Sequence, residues 1–202
     1  TRLYGADMER LWGDVLPVPA GRLRPLEVRQ ADTEVSRLIV VGHEVQVAHT
    51  PGHASHHVSY FLPAAGVAFV GDTAGLCRES GRLVIPATPP PDIDLAAWRV
   101  STEQILAWDP EILFLTHFGP HRSPRGHMQD LWRRLDDWVR RVESSLAAPG
   151  DDAGRAAAFM AEVVEDIARL TSRAEATAYI SAGRFDFSWT GLAREIRKAA
   201  RP

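Results

Sequence analysis

Apolar and polar positions alternate along much of the first 120 residues, at the two-residue spacing that is typical of half-buried β-strands. Together with short apolar runs, this alternation predicts strands at residues 35–41, 44–50, 57–62, 67–70 and 111–116. A small hairpin with strands at 76–79 and 82–85 is expected to turn at the Ser-Gly pair of residues 80–81. The first part of the chain is therefore predicted to form a β-sheet.

After three consecutive prolines at residues 89–91, the apolar spacing changes to three or four residues, as on one face of a helix. Asp92 or Asp94 is suited to cap a helix that reaches about Trp108. Three further helices are predicted by the sets Leu131, Leu135, Trp138 and Val142, then Phe159, Val163, Ile167 and Leu170, and by the capping-box spacing of Ser172 and Glu175. A last helix is expected at about residues 192–200, after the alternating aromatic side chains Phe185, Phe187 and Trp189. We therefore expect an α/β protein with a sheet-rich portion at residues 1–122 and a helical extension at residues 123–202 packed on it.

The composition and charge of the chain argue against some classes of function. The chain has 202 residues, 45% of them hydrophobic and 24% charged, as in ordinary globular proteins. With 23 basic and 26 acidic residues it lacks the basic surplus of a nucleic-acid-binding protein, and no apolar run is long enough to cross a membrane. Its single cysteine, Cys77, cannot form a disulfide within the chain. The residues after Thr1 do not have the pattern of a secretory signal. We therefore expect a cytoplasmic protein that binds neither nucleic acid nor membranes.

Residues of the metal-ligand type follow three of the predicted strands. His53 lies in the loop after residues 45–48, Asp72 comes just after residues 67–70, and His117 comes just after residues 112–115. Loops at strand ends are where α/β proteins commonly build their sites. Imidazole and carboxylate ligands together suit zinc, iron or manganese, so the pattern predicts a metal centre. Gly52 and Gly71, each next to a candidate ligand, would let the backbone turn tightly there.

The order and spacing of three motifs carry a resemblance to a known family. The motifs HTPGH (residues 49–53), FVGDT (69–73) and LTHFG (115–119) resemble the second half of the metallo-β-lactamase superfamily. The longer string HTPGHASHH, from residue 49 to residue 57, is similar to the glyoxalase-II-like hydrolases of that superfamily. The resemblance covers about residues 35–120, and it implies an αββα sandwich of which this chain supplies the second half.

The resemblance also implies a two-metal site at one edge of that sandwich. By position, His53 matches a ligand of the first metal ion, Asp72 matches the residue that bridges both ions, and His117 matches a ligand of the second. Two divalent cations are implied, most often zinc, with iron or manganese as alternatives. The resemblance further implies that a hydroxide shared by these ions would attack the carbonyl of a small acyl substrate: a thioester, ester, lactone or amide. Asp72 would hold the metals and orient the hydroxide.

One departure from the family pattern bears on activity. The HxHxDH motif, which normally precedes these residues and supplies four more ligands, does not occur in the sequence. Catalytic zinc usually has three protein ligands, whereas each metal here would keep two, one of them shared. We therefore expect Thr1 to lie inside a longer polypeptide, and the 202-residue chain alone to be inactive.

The remaining candidates have weaker roles. His57 is expected to support a ligand through a hydrogen bond, and His121 to face the substrate or lie on an exposed loop. Cys77 is interpreted as a small buried side chain and His127 as structural. Three alternatives stay open: an iron-dependent oxidoreductase on the same fold, a degenerate non-catalytic half that binds a partner, and a homodimer formed through the helical region.

Overall fold

The computed structural model describes residues 13–14, 16–23, 25, 36–78, 83–182 and 185–200. Six strands form one mixed sheet: β1 (Ser36–Val40), β2 (His43–His49), β3 (Val58–Leu62), β4 (Val67–Gly71), β7 (Ile112–Leu115) and β8 (Gly119–Arg122). Their order across the sheet is β1-β2-β3-β4-β7-β8. Two further strands, β5 (Leu76–Cys77) and β6 (Val84–Ile85), pair with each other as a separate antiparallel hairpin.

Strand direction determines which loops meet. The pairs β2–β3 and β3–β4 are antiparallel and the pair β4–β7 is parallel, so β2, β4 and β7 all run the same way. Their carboxyl ends therefore lie at one edge of the sheet, and the loops that follow them are neighbours. These are the three loops that carry His53, Asp72 and His117.

Five helices follow or interrupt the strands within the described residues. They are α1 (Leu95–Ala107), α2 (Pro124–Ala147), α3 (Asp152–Leu170), α4 (Arg173–Ala182) and α5 (Phe185–Ala199). Three of them begin at polar caps: the side chains of Asp94, Asp151 and Ser172 accept hydrogen bonds from backbone N–H groups at distances of 2.9, 2.7 and 3.1 Å. Such caps satisfy donors that a helix start would otherwise leave unpaired. Short 3₁₀ turns lie at Ala20–Arg22, Pro63–Ala65 and Asp72–Ala74.

One face of the sheet is covered by α1 and α2, where Ala68, Val70, Leu113 and Leu115 are buried. The alternate residues Phe69 and Phe114 lie on the opposite face and are exposed, as the two-residue period of a strand requires. A second core joins the β5–β6 hairpin and Trp98 of α1 to helices α2–α5. The helical region therefore packs directly against the sheet-bearing part of the chain. The proposed division at residue 122 stays a prediction.

The predicted α/β architecture is confirmed, with the sheet strands within one or two residues of their predicted bounds, but three details are corrected. Strand β8 was not predicted, because Gly119 and Pro120 are typical of a turn. The last helix begins at Phe185 rather than near residue 192: Phe185 and Trp189 are buried four residues apart on one helical face, while Phe187 is exposed. Leu170, assigned to the buried face of its helix, is exposed at the helix end. The predicted turn at residues 80–81 lies outside the described residues.

Among the described residues, none of the helices combines the length and the hydropathy that a membrane span requires.

Candidate metal centre

The structure brings together the three residues that sequence reasoning selected. Asp72 follows β4 directly, His117 lies two residues beyond β7, and His53 lies in the loop after β2. The Nε2 atom of His53 is 3.8 Å from Asp72 Oδ2, and the Nε2 atom of His117 is 3.6 Å from Asp72 Oδ1. The three side chains are 13%, 28% and 40% exposed in the order His53, Asp72, His117. We call these three residues the open cluster.

The open cluster fits a bound cation. Both nitrogen–oxygen separations are longer than a hydrogen bond allows, and they are close to the ~3.4 Å between two ligand atoms on one tetrahedral ion with bonds of ~2.1 Å. Asp72 Oδ1 is buried and has no hydrogen-bond partner. A buried carboxylate oxygen without a donor is costly, and a cation removes that cost.

His53 is oriented as a ligand. Its Nδ1 atom is 2.7 Å from the backbone oxygen of Ala87, which can only accept a hydrogen bond. Nδ1 therefore carries the hydrogen, and the lone pair lies on Nε2, the atom that faces Asp72. A backbone carbonyl that fixes the tautomer in this way is typical of histidines that bind metals.

The two histidines approach different oxygens of the same carboxylate. Among the described residues, Cys77, His121 and His127 form a group whose ligand atoms all lie within 4.8 Å of one another. The ligand atoms of the open cluster do not meet this condition. The three ligand atoms therefore do not all converge on one point.

His57 lies behind the open cluster in a network of hydroxyl groups. Its Nδ1 atom is 3.0 Å from the Oγ1 atoms of both Thr50 and Thr73, and Thr50 Oγ1 is 2.8 Å from Ser59 Oγ. The rings of His57 and His53 meet edge to face at 6.1 Å. Burial is the main cause that lowers the pKa of His57 to about 4, and the neighbouring His53 adds to it. His57 is therefore a neutral ring that packs against His53.

Two glycines let the backbone come close to this site. A Cβ atom on Gly71 would lie 2.2 Å from His57 Nε2, and one on Gly52 would lie 2.3 Å from Cα of Trp98. The φ angles of Gly71 and Gly52 are +52° and +131°, values that side chains disfavour. The expected tight turns at both glycines are present.

Helix α1 holds the loop that carries His53. The backbone oxygen of Gly52 accepts from the N–H of Asp94 at 2.9 Å, and the backbone oxygen of Pro51 accepts from Ser101 Oγ at 2.6 Å. Trp98 Nε1 donates to the backbone oxygen of Thr73 at 2.7 Å, and the Trp98 ring lies 6.0 Å from that of His53. One helix thus fixes the loops after β2 and β4 together.

A pocket of about 180 Å³ opens in front of the open cluster. Besides these three residues, it is lined by Leu76, Pro86, Ala87, Pro89, Phe185 and Ser188. Of the alternating aromatic residues near the start of α5, Phe185 lines this pocket, whereas Trp189 is buried and donates to Ser145 Oγ at 2.8 Å. Helix α5 therefore forms one wall of the pocket.

His121 was expected either to face substrate or to lie on an exposed loop, and the structure places it in neither environment. It is buried in β8, does not line the pocket, and its Nε2 atom lies 2.7 Å from the backbone oxygen of Cys77. The reason is its register, because His121 pairs with Leu113 and points to the face covered by helices. Pro120 and Arg122 on either side of it are exposed, as the two-residue period of a strand requires.

The model of the metallo-beta-lactamase superfamily matches residues 3–117. The chain therefore belongs to that superfamily, as the three motifs predicted.

Two relatives match in sequence over short segments. The metallo-beta-lactamase fold-containing protein ST1585 of Sulfurisphaera tokodaii is 33% identical over 78 residues, which are 39% of this chain and 28% of that protein. A hydroxyacylglutathione hydrolase of Maricaulis maris is 55% identical over 31 residues, 15% of this chain and 12% of the relative.

Solved structures agree on the fold. A metallo-beta-lactamase family protein of Thermus thermophilus superposes with a TM-score of 0.58 at 20% identity, covering 88% of this chain and 50% of that one. The crystal structure of ST1585 gives a TM-score of 0.57 at 20% identity, with 95% and 59% covered. The chain thus spans about half the length of these relatives.

Proposed function

We propose that the active protein is a metal-dependent hydrolase of small acyl substrates and that the open cluster is part of its catalytic centre. The observation that carries this proposal is the position of Asp72, whose two oxygens face the Nε2 atoms of His53 and His117 while Oδ1 lacks a hydrogen-bond partner. Divalent ions at such a centre, zinc in the first instance, supply a water of lowered pKa and polarise a carbonyl group.

The chain's own residues have separate tasks in this proposal. His53 directs Nε2 toward Asp72, because the backbone oxygen of Ala87 accepts the hydrogen on Nδ1. Asp72 accepts a hydrogen bond from the attacking water and orients it toward the acyl carbon. Leu76, Pro86 and Phe185 give the pocket apolar walls against which a short acyl chain packs, and Ser188 offers a hydroxyl group there.

A catalytic centre with two metal ions needs more ligands than the open cluster provides. Catalytic zinc sites usually have three protein ligands for each ion, and three residues cannot supply two such sites. We propose that the remaining ligands belong to polypeptide in addition to these 202 residues and that this chain alone does not turn over substrate. The absence of HxHxDH from the sequence and the greater length of the structural relatives support this.

The test is the Asp72→Asn substitution in a protein that joins this sequence to a first half with the HxHxDH motif. We expect the joined protein without the substitution to hydrolyse a thioester, ester, lactone or amide. Asp72→Asn should lower kcat at least a hundredfold, which exceeds the ~10–100-fold loss usual for residues that only support metal ligands. Asp92→Asn is the matched control, because Asp92 is an exposed carboxylate bonded to Ser55.

Three outcomes would contradict parts of the proposal. Near-normal turnover in Asp72→Asn would remove Asp72 from the catalytic centre. Bound iron with oxidation and no hydrolysis in the parent protein would favour the oxidoreductase alternative. Hydrolysis by the 202-residue chain with two bound metal ions would show that no further ligands are needed.

A further inference from the structure

A second group of potential ligands lies on the helix-covered side of the sheet. Cys77 is on β5, His121 is on β8, and His127 is in the first turn of α2. One ligand atom from each lies within 4.8 Å of the other two, and the residues are 1%, 9% and 7% exposed respectively. We call these three residues the closed cluster.

Both histidines of the closed cluster have a fixed tautomer. Nε2 of His121 is 2.7 Å from the backbone oxygen of Cys77, and Nε2 of His127 is 2.8 Å from the backbone oxygen of Ala74. Carbonyl oxygens only accept, so each Nε2 carries the hydrogen and each Nδ1 keeps its lone pair. The two rings lie 5.5 Å apart at an angle of 40°. The Nδ1 atoms are therefore the nitrogens that remain available to a metal ion.

The sulfur of Cys77, the third member of the closed cluster, makes a weak hydrogen bond. Cys77 Sγ is 3.7 Å from the backbone oxygen of Arg78, a long contact for a poor donor. Burial raises the pKa of the thiol to about 11 and lowers the pKa of His127, so both groups are neutral without an ion. The charge of Asp130, one helical turn beyond His127, acts on both groups, and Asp130 also pairs with Arg133 at 2.6 Å.

We propose that Cys77, His121 and His127 bind one zinc-type divalent ion at a site separate from the open cluster. One thiolate and two imidazole nitrogens are ligands that zinc prefers, and a tetrahedral ion keeps such atoms ~3.4–3.7 Å apart, so the cluster tightens modestly on binding. The thiol gives up its proton to solvent as the sulfur–metal bond forms.

The location of the closed cluster indicates a structural ion. Cys77 lies five residues after Asp72, and His121 lies four residues after His117, so the ion ties down both segments that carry the open cluster. His127 joins them to the start of α2. Closed sites with buried ligands are typical of structural rather than catalytic zinc.

Cobalt(II) provides a selective test, because Cys77 is the sole cysteine among the 202 residues. A thiolate-to-cobalt charge-transfer band can therefore arise from Cys77 and from no other side chain of the chain. We expect one equivalent of cobalt to produce this band in the purified 202-residue chain and zinc to abolish it. Cys77→Ser should remove the band, His121→Gln and His127→Gln should weaken cobalt affinity at least tenfold, and Asp72→Asn should leave the band unchanged.

Thermal unfolding gives a second readout, measured in the Asp72→Asn background so that the open cluster lacks its shared carboxylate. Zinc at about a hundredfold excess over its Kd should raise Tm by at least about 5 °C, and the further change Cys77→Ser should abolish the shift. No thiolate band in the folded chain would overturn the proposal. A band of unchanged affinity in both histidine variants would overturn the assignment of His121 and His127 as ligands.

Discussion

The open and closed clusters share two chain segments, residues 72–77 and 117–121, yet their surroundings differ. His117 is 40% exposed and faces a pocket, whereas His121, four residues later, is 9% exposed and lies under a helix. Asp72 is 28% exposed and lines the pocket, whereas Cys77, five residues later, is 1% exposed. A metal centre that must admit substrate needs the first environment, and one that only holds the fold together needs the second.

The difference arises from strand register. His117 lies beyond the end of β7, where no neighbouring strand dictates the direction of its side chain. His121 lies within β8 opposite Leu113, and it therefore points to the helix-covered face with that buried leucine. Two histidines only four residues apart thus acquire different surroundings from one ladder of backbone hydrogen bonds.

The largest effect that separates the two clusters is expected from Gly71→Ala. The new Cβ atom would lie 2.2 Å from His57 Nε2, and Thr50 and Thr73 hold that ring in place. With φ at +52° and ψ at −141°, the backbone is also in a region that is essentially restricted to glycine. We expect a loss of ~3 kcal/mol or more in the free energy of unfolding, measured with urea.

The control is Gly42→Ala, which also has a positive φ of +81° but no atom within 4 Å of the added Cβ. It should cost only ~1 kcal/mol, from backbone strain alone. If the two variants lose equal stability, His57 moves aside freely and does not fix the ring of His53. The cobalt band of Cys77 should survive in whichever fraction stays folded, because Gly71 lies at the open cluster.

A smaller loss of stability is expected near the closed cluster from Tyr179→Phe. The buried Tyr179 hydroxyl donates to the backbone oxygen of Leu83 at 2.7 Å and accepts from the N–H of Arg78 at 3.0 Å, on either side of the hairpin that carries Cys77. Removing the hydroxyl leaves both backbone groups unpaired, at a cost of ~2 kcal/mol in urea unfolding. Tyr60→Phe, whose hydroxyl has no hydrogen-bond partner within the described residues, should change stability by less than ~0.5 kcal/mol.

The pH dependence of the stability difference between wild type and Tyr179→Phe gives an independent check. Burial raises the pKa of Tyr179 from 10.0 to about 12, so the folded state favours the protonated phenol. Its contribution is fully present below pH 10 and is lost as the pH rises toward 12. The stability difference between wild type and Tyr179→Phe should therefore shrink over that interval. A constant difference would show that the hydroxyl does not titrate with the fold.

The open cluster could be predicted from sequence because each of its residues comes shortly after a strand with a readable pattern. Parallel direction of β2, β4 and β7 then places those strand ends at one edge. His57 was expected to hydrogen-bond one of these ligands, whereas its hydrogen bonds within the described residues go to Thr50 and Thr73. The family match to residues 3–117 confirms the fold that these motifs implied.

The closed cluster could not be predicted, because its members come from three elements whose proximity depends on tertiary structure. No short-range spacing links Cys77 to His127, and the register of β7 with β8 decides where His121 points. The start of α5 was missed for a related reason: aromatic residues at 185, 187 and 189 alternate like a strand, and packing against the helical core selected the helix.

The smallest separable effect is expected at the start of α1, which holds the loop of His53. Asp94→Ala removes the side chain that accepts from the N–H of Ala97 at 2.9 Å, and we expect a loss of ~1 kcal/mol in urea unfolding. Asp92→Ala is the matched control, since its bond to Ser55 is exposed and should contribute within ~0.5 kcal/mol. The backbone bond from Asp94 to Gly52 survives both changes. If both variants are equally stable, that backbone bond rather than the cap fixes the helix start, and the position of Trp98 beside His53 does not depend on the Asp94 side chain.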